Sequence, residues 1–273
     1  MVLLEKSHYD KVIVPLQSVC INNLFARSVV EHKVSGKIYV DNINNPKVFY
    51  VVHPYGMSLL FGDYSNSDFN NHFKEYGLNL NKIRTNYEWV QVFPDEWNDT
   101  LINLFGNNLV KSAYNTIEAG IIELNTRVNF KFSHEKYLNR EIKNIQNIKI
   151  VKTDKNIFEN MHGSVIPKYF WDNVNDFLEN GIGFSLLFNK QLAATAFSSY
   201  IHDDKYELGV ETVAEFRKKG FAEIISSVLI DYCIESNYEP VWSCRFENTG
   251  SYMLAQKIGF MPIMKKPYYR LSK

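Results

Sequence analysis

The chain has 273 residues, 45% of them apolar, enough to bury a substantial core as one large or two small domains. Thirty basic residues balance thirty acidic ones, so no net field gathers an anionic polymer, and a nucleic-acid partner is disfavoured. No apolar run reaches the roughly 20 residues of a membrane span, and no secretory signal pattern opens the chain, so the expected location is cytoplasmic, away from membranes.

Ile38, Val40, Val48, Tyr50 and Val52 alternate and are interrupted by turn residues at 42–46 and 54–56, which predicts strands between residues 37 and 62. Helical spacing of apolar residues predicts helices over 68–76 and 96–105, and 109–117 reads as a third helix or an extension. Residues 120–132 return to alternation, with Val128, Phe130 and Phe132 on one side, so a first α/β domain is expected over 1–134. A polar connector at 135–147 is too short and too complex in composition to act as a tether.

The second domain, expected over 141–273, opens with a strand at 148–151 and helices between 154 and 179 that are interrupted by Gly163 and Pro167. A hairpin follows, 184–188 against 192–200 around residues 189–191, and Asp203-Asp204 turns the chain into a further strand. The fold class read from this pattern is mixed α/β (α+β), with a mostly antiparallel sheet flanked by helices. Gly183-Phe184-Ser185-Leu186-Leu187-Phe188 echoes residues 57–61, the mark of a diverged tandem repeat of one α/β unit.

Residues 206–213 form the strand that carries the chemistry. It runs into a basic turn, Arg217-Lys218-Lys219-Gly220-Phe221-Ala222, and then into a helix with Ile224, Ile225, Val228, Leu229, Tyr232 and Cys233 on one face. First-turn N–H groups have no internal partner and the helix dipole favours an anion, so a glycine turn flanked by cations suits a pyrophosphate; the alternative is a solvated basic turn. A strand at 239–244 containing Trp242 follows, then a helix over 248–256 started by Asn248, closed by Ile258-Gly259-Phe260.

This order resembles the GNAT superfamily of acetyl-CoA-dependent N-acetyltransferases over residues 145–273: a strand, an Arg/Gln-x-x-Gly-x-Gly/Ala turn, a helix, a strand, and an Asn-started helix ending in Gly-Phe. Glu207-Leu208-Gly209-Val210-Glu211-Thr212, Pro240-Val241-Trp242 and Leu254-Ala255-Gln256-Lys257-Ile258-Gly259-Phe260 are similar to the subgroup that contains the zwittermicin A resistance acetyltransferase. So are Gly36-Lys37-Ile38-Tyr39-Val40-Asp41, Asn45-Pro46 and Gly56-Met57-Ser58-Leu59-Leu60-Phe61-Gly62, which extends the resemblance over the whole chain. It implies a C-terminal GNAT fold preceded by a smaller, degenerate GNAT-like α/β domain.

By this resemblance, acetyl-CoA is the cosubstrate and a primary amine of a small molecule, in this subgroup an amino antibiotic, is the acceptor. The pyrophosphate would lie on the backbone of Arg217, Lys218, Lys219, Gly220, Phe221 and Ala222, with the three cations offering charge. The pantetheine arm would follow the strand ending at Thr212 and Val213, where a backbone N–H donates to the thioester oxygen. Asn248 would cap its helix and hydrogen-bond the arm.

An alkyl amine with a pKa near ~10 needs deprotonation, and Glu207 and Glu211, four apart on one strand face with Gly209 between them, are the candidate bases. Glu211 is preferred as nearer the expected acetyl position; the alternative for either is an ion pair or recognition of a substrate cation. The superfamily's proton-donating tyrosine falls at Ala255, leaving Tyr252, one turn earlier, as the substitute. Trp242 is expected in the core, and the resemblance implies that Phe170 and Trp171, on the helical segment that borders the acceptor cleft in this superfamily, are substrate candidates. Ala255 also supports a second reading, a non-catalytic acyl-CoA-binding or regulatory module.

The three cysteines show no metal-ligand spacing, Cys233 reads as a small hydrophobe on its helix, and the seven histidines are scattered, so no metal is expected.

Overall fold

The computed structural model describes residues 1–111, 119–141 and 145–273. Internal contacts divide the chain into two units: Met1–Val128 with Arg245–Glu247 and Lys265–Lys273, and Asn129–Cys244 with Asn248–Met264. The linear division anticipated at 134–141 differs from this one in two ways: the first unit ends at Val128, and residues 245–247 and 265–273 return to it.

The first unit holds β1 (Val2–Leu3), α1 (Asp10–Gln17), α2 (Leu24–Val30), β2 (Lys37–Val40), β3 (Val48–Val52), β4 (Met57–Gly62), α3 (Ser67–Gly77), β5 (Glu88–Phe93), α4 (Glu96–Phe105), β6 (Leu109–Lys111) and the start of β7 (Ile122–Phe132). β1 to β4 pair antiparallel in chain order, and β5 joins β4 in parallel, from Met57↔Trp89 to Phe61↔Phe93. Residues 269–271 run antiparallel beside β5. The alternation read from the sequence faces a core in which Val48, Tyr50, Leu60, Val90 and Val92 meet Phe69 and Phe73 of α3 and Trp97, Leu101 and Phe105 of α4. Each such side chain contributes on the order of 1.5–3 kcal/mol by leaving water.

The helix expected over 109–117 is corrected where it is described: Leu109–Lys111 is a strand, parallel to β7 from Leu109↔Ile122 to Lys111↔Leu124. Cross-strand pairing outweighs helical spacing in so short an apolar run. Residues 112–117 lie outside the described residues.

The second unit holds the end of β7, α5 (His134–Leu138), β8 (Ile148–Lys152), α6 (Lys155–Asn160), α7 (Val174–Asn180), β9 (Gly183–Phe188), β10 (Gln191–His202), β11 (Lys205–Thr212), α8 (Phe221–Glu235), β12 (Glu239–Val241), β13 (Ser243–Arg245, its last residue apart), α9 (Thr249–Lys257) and the start of β14 (Phe260–Leu271). The sheet order is β12-β11-β10-β9-β8, antiparallel except for the parallel β11–β12 pair. Asn189 and Lys190 both take positive φ, 48° and 69°, the requirement of a two-residue turn whose twist matches its strands. α8 buries Phe221, Ile225, Leu229, Ile230 and Cys233, a stripe rotated from the expected one so that Ile224, Val228 and Tyr232 flank it. Burial pushes the Cys233 thiol up to about 12, so it serves as a hydrophobe.

The two units share one strand pattern. In β2-β3-β4-β5 and in β9-β10-β11-β12, two antiparallel pairs are followed by a parallel one, and a helix leaves the third strand of each. The 183–188 echo of 57–61 is thus not the equivalence. β4 has the parallel partner and precedes α3, as β11 precedes α8, whereas β9 has antiparallel neighbours on both sides.

Candidate active site

β11 is paired along its length with β10, but its parallel ladder with β12 stops at Glu207↔Val241. Among the described residues no strand continues beside Leu208–Thr212 on that edge. The N–H of Val213 donates to the carbonyl of Ala193 at 2.9 Å. Antiparallel alternation therefore turns the N–H and C=O of Thr212 toward the opened edge, where the Thr212 carbonyl accepts Nε of Arg217 at 3.1 Å.

The turn after β11 reverses on two left-handed residues, Lys218 at φ 63° and Gly220 at φ 87°. Gly220 is the N-cap of α8, and having no side chain it supplies no cap hydrogen bond to the first turn. Phe221 is buried against Phe188, ring centroids 5.1 Å apart, which anchors the helix start to the sheet. Lys219 lies over the rings of Phe216 and Phe188, at 5.1 and 5.8 Å. Arg217 departs from expectation: its guanidinium turns back to the strand end, with Nη2 on Glu211 at 3.2 Å. The cations standing at the helix entrance are Lys218 and Lys219.

Both strand carboxylates are buried, on opposite sides of Gly209. Glu207 stands where the strands part, and its Oε1 accepts the hydroxyl of Ser243 on β13 at 2.5 Å. Glu211 stands four residues nearer the mouth. Its Oε2 accepts the backbone N–H groups of Ser164 and Val165 at 2.8 and 2.9 Å and the Ser164 hydroxyl at 3.2 Å, while Oε1 takes Arg217. Ser164, Val165 and Ser243 were not singled out in the sequence; the only local signal was Gly163, read as a helix interruption.

The remaining expected residues lie where the second unit needs them for packing. Asn248 caps α9, accepting the N–H of Ser251 at 3.3 Å. Ala255 is fully buried, and the Tyr252 ring lies 5.6 Å from that of Phe130. Trp242 is buried against Phe260, as expected of a core residue. The Phe170 ring meets those of Phe197 and Tyr200, and Trp171 donates its indole N–H to the carbonyl of Ser198.

The profile of the GNAT acetyltransferase family matches residues 17–269. The chain belongs to the GNAT acetyltransferase family. It is 22% identical over 248 residues, 90% of this chain and 89% of the relative, to the uncharacterized N-acetyltransferase YdfB of Bacillus subtilis. A GCN5-related N-acetyltransferase-like protein from Streptococcus suis shares the fold with a TM-score of 0.71 at 17% identity, covering 97% of this chain and 99% of that one. A tandem GNAT protein from the clavulanic acid biosynthesis pathway superposes with a TM-score of 0.61 at 6% identity, covering 98% and 97%.

The GNAT strand pattern in the first unit lacks the features found in the second. There β4 and β5 stay paired through Phe61↔Phe93, leaving no opened edge. The helix that follows, α3, is closed by the side chain of Asn66, which accepts the N–H of Phe69 at 3.0 Å. The Asn66 amide donates to Asp41 at 3.1 Å, and Asp68 sits in the first turn. Both helices carry one acid in the first turn, Asp68 and Glu223. What separates them is the Asn66 side-chain cap bonded to Asp41 in α3 against the bare Gly220 preceded by Lys218 and Lys219 in α8, and the second start suits an anion better. Among the described residues no helix of this GNAT protein is long and apolar enough to cross a membrane.

Proposed function

We propose that this GNAT protein transfers the acetyl group of acetyl-CoA to a primary amine of a small molecule, with the chemistry confined to the second unit. The observation that carries this reading is the opened edge of β11 between Glu207 and the left-handed Gly220, which offers one continuous track from a cationic helix start to a buried carboxylate. The donor's diphosphate would take the amides of Phe221 and Ala222 with Lys218 and Lys219 beside it. Its pantetheine arm would take the opened edge of Val210 and Thr212 in place of a sixth strand.

An arm entering at the turn carries its thioester toward the closed end of the opening, about 17 Å of strand away, so we assign the base to Glu207 in preference to Glu211. Glu207 receives the proton of the amine as nitrogen attacks the thioester carbon. An opened-edge N–H supports the oxygen on which charge develops, and the carbon–sulfur bond breaks to release CoA thiolate. Tyr252 is the hydroxyl we assign to protonate the thiolate. A thiolate with a pKa near ~8.5 also leaves without assistance, so Ala255 at the usual position does not by itself argue for a non-catalytic role.

The similarity of residues 207–212, 240–242 and 254–260 to the zwittermicin A resistance subgroup favours an amino antibiotic as acceptor, acetylated in the cytoplasm. We assign the first unit, 1–134 in the linear reading, as a degenerate GNAT-like domain that holds no acetyl-CoA. Mass spectrometry of an amine panel incubated with the protein and acetyl-CoA tests this. A monoacetylated amine formed with release of one free thiol is expected, and thiol release without acetylated product would contradict it.

A further inference from the structure

The buried carboxylate of Glu211 spans 47 and 46 residues of sequence to reach Ser164 and Val165, and it is the shared acceptor of four hydrogen bonds. Those donors come from two places. Ser164 and Val165 belong to a segment whose exposed residues 162–164 are bracketed by the buried Met161 and Ile166, between α6 and the single helical turn Pro167–Tyr169. Arg217 begins the basic turn and also binds the strand end through the Thr212 carbonyl.

The fit between segment and carboxylate is tight. Gly163, at φ 154°, lies so near Glu211 that a Cβ there would stand 2.6 Å from Cγ and 2.7 Å from Oε2. Three of the four donors converge on Oε2, which has roughly two lone pairs, and Arg217 takes Oε1, so a proton arriving at Oε2 would release the loop and one arriving at Oε1 would compete with Arg217. Glu207, by contrast, has a hydroxyl partner that can turn.

We propose that Glu211 is a positioning residue. It fastens the 163–165 segment onto β11 and, through Arg217, onto the strand end at Thr212, so that one carboxylate sets the wall at the mouth of the opening, where the acceptor would enter. Acceptor recognition, not proton transfer, then depends on Glu211. The inference rests on the proposed acetyl transfer only for its kinetic readout, since the fastening itself can be read without turnover.

Three variants test it. Glu211→Gln keeps an oxygen for the two backbone N–H groups. It should hold kcat within about fivefold and preserve the acid limb of the pH–rate profile, where loss of a base costs on the order of 10²–10⁴-fold. Glu211→Ala and Gly163→Ala displace the segment. Both should raise the KM of the acceptor amine by on the order of tenfold or more while the KM of acetyl-CoA stays within about twofold. Hydrogen exchange at the amides of Ser164 and Val165, measured without substrate, should speed up in both. Collapse of kcat and of the acid limb in Glu211→Gln would make Glu211 the base and overturn the inference, as would unchanged exchange in Glu211→Ala. If no amine is turned over by the wild-type protein, the acetyl-transfer reading fails, and the exchange result alone decides the fastening.

Discussion

Glu207 and Val241 form the last rung of the parallel ladder between β11 and β12, and β11 runs on past it for five residues with only β10 beside it among the described residues. In the first unit the same strand pair stays zipped to Phe61 and Phe93. One strand pattern thus occurs in both units, and among the described residues only the one in the second unit exposes a strand edge with a buried carboxylate at its root.

Replacing that carboxylate should cost turnover and little binding. Glu207→Gln is expected to lower kcat by on the order of 10²-fold or more with the KM of acetyl-CoA nearly unchanged. Ser243→Ala, which removes the hydroxyl donating to Glu207, should cost less. Steady-state kinetics on any acetylated amine checks both.

Tyr252→Phe isolates the proton donor. Because a thiolate with a pKa near ~8.5 departs unaided, kcat should fall less than about tenfold, and the loss should be larger at the alkaline end of the profile, where solvent protons are scarce. A loss as large as that of Glu207→Gln would make Tyr252 indispensable.

The Lys218→Ala, Lys219→Ala double variant should raise the KM of acetyl-CoA by on the order of 10–10²-fold per lost charge-assisted hydrogen bond, each worth about 1.5–3 kcal/mol. The effect should shrink as ionic strength rises. Gly220→Val adds a side chain at φ 87°, at a cost of about 1–2 kcal/mol, and should weaken acetyl-CoA in the same direction.

How much of this was legible beforehand follows from which signals are local. The basic turn, the long helix and the Asn-started helix are contiguous in sequence, and α4 falls on the residues whose spacing predicts it. β14 escaped because Pro262 and Pro267 interrupt it, and proline reads as a ladder breaker. The duties of Glu211 and Arg217 escaped because their partners lie 47 residues upstream or across a turn. Alternation puts two carboxylates on one face; it does not say which of them the fold has already used.

In the first unit, Tyr50 and Tyr76 both donate to the carboxyl of Glu88, and burial holds that carboxyl above its ordinary range. A carboxyl raised on folding contributes stability that is complete below its unfolded value, about 4.3, and is lost as pH climbs through the folded value. The stability advantage of wild type over Glu88→Gln should therefore be largest near pH 4 and narrow toward neutrality. Urea unfolding of both proteins across that range checks the sign; a gap that widens with pH would contradict it.

Asn66→Ala removes the cap of α3 and should cost about 1 kcal/mol of stability, within 0.5–2, while acetyl-CoA binding is unaffected. Weakened acetyl-CoA binding in this variant would place a donor site in the first unit.

The central claim, one donor site on the track from Gly220 to Glu207, is tested most directly by isothermal titration calorimetry with acetyl-CoA. One equivalent bound per chain is expected, with affinity reduced in Lys218→Ala, Lys219→Ala and in Gly220→Val. No heat, two equivalents, or affinity indifferent to those substitutions would contradict it.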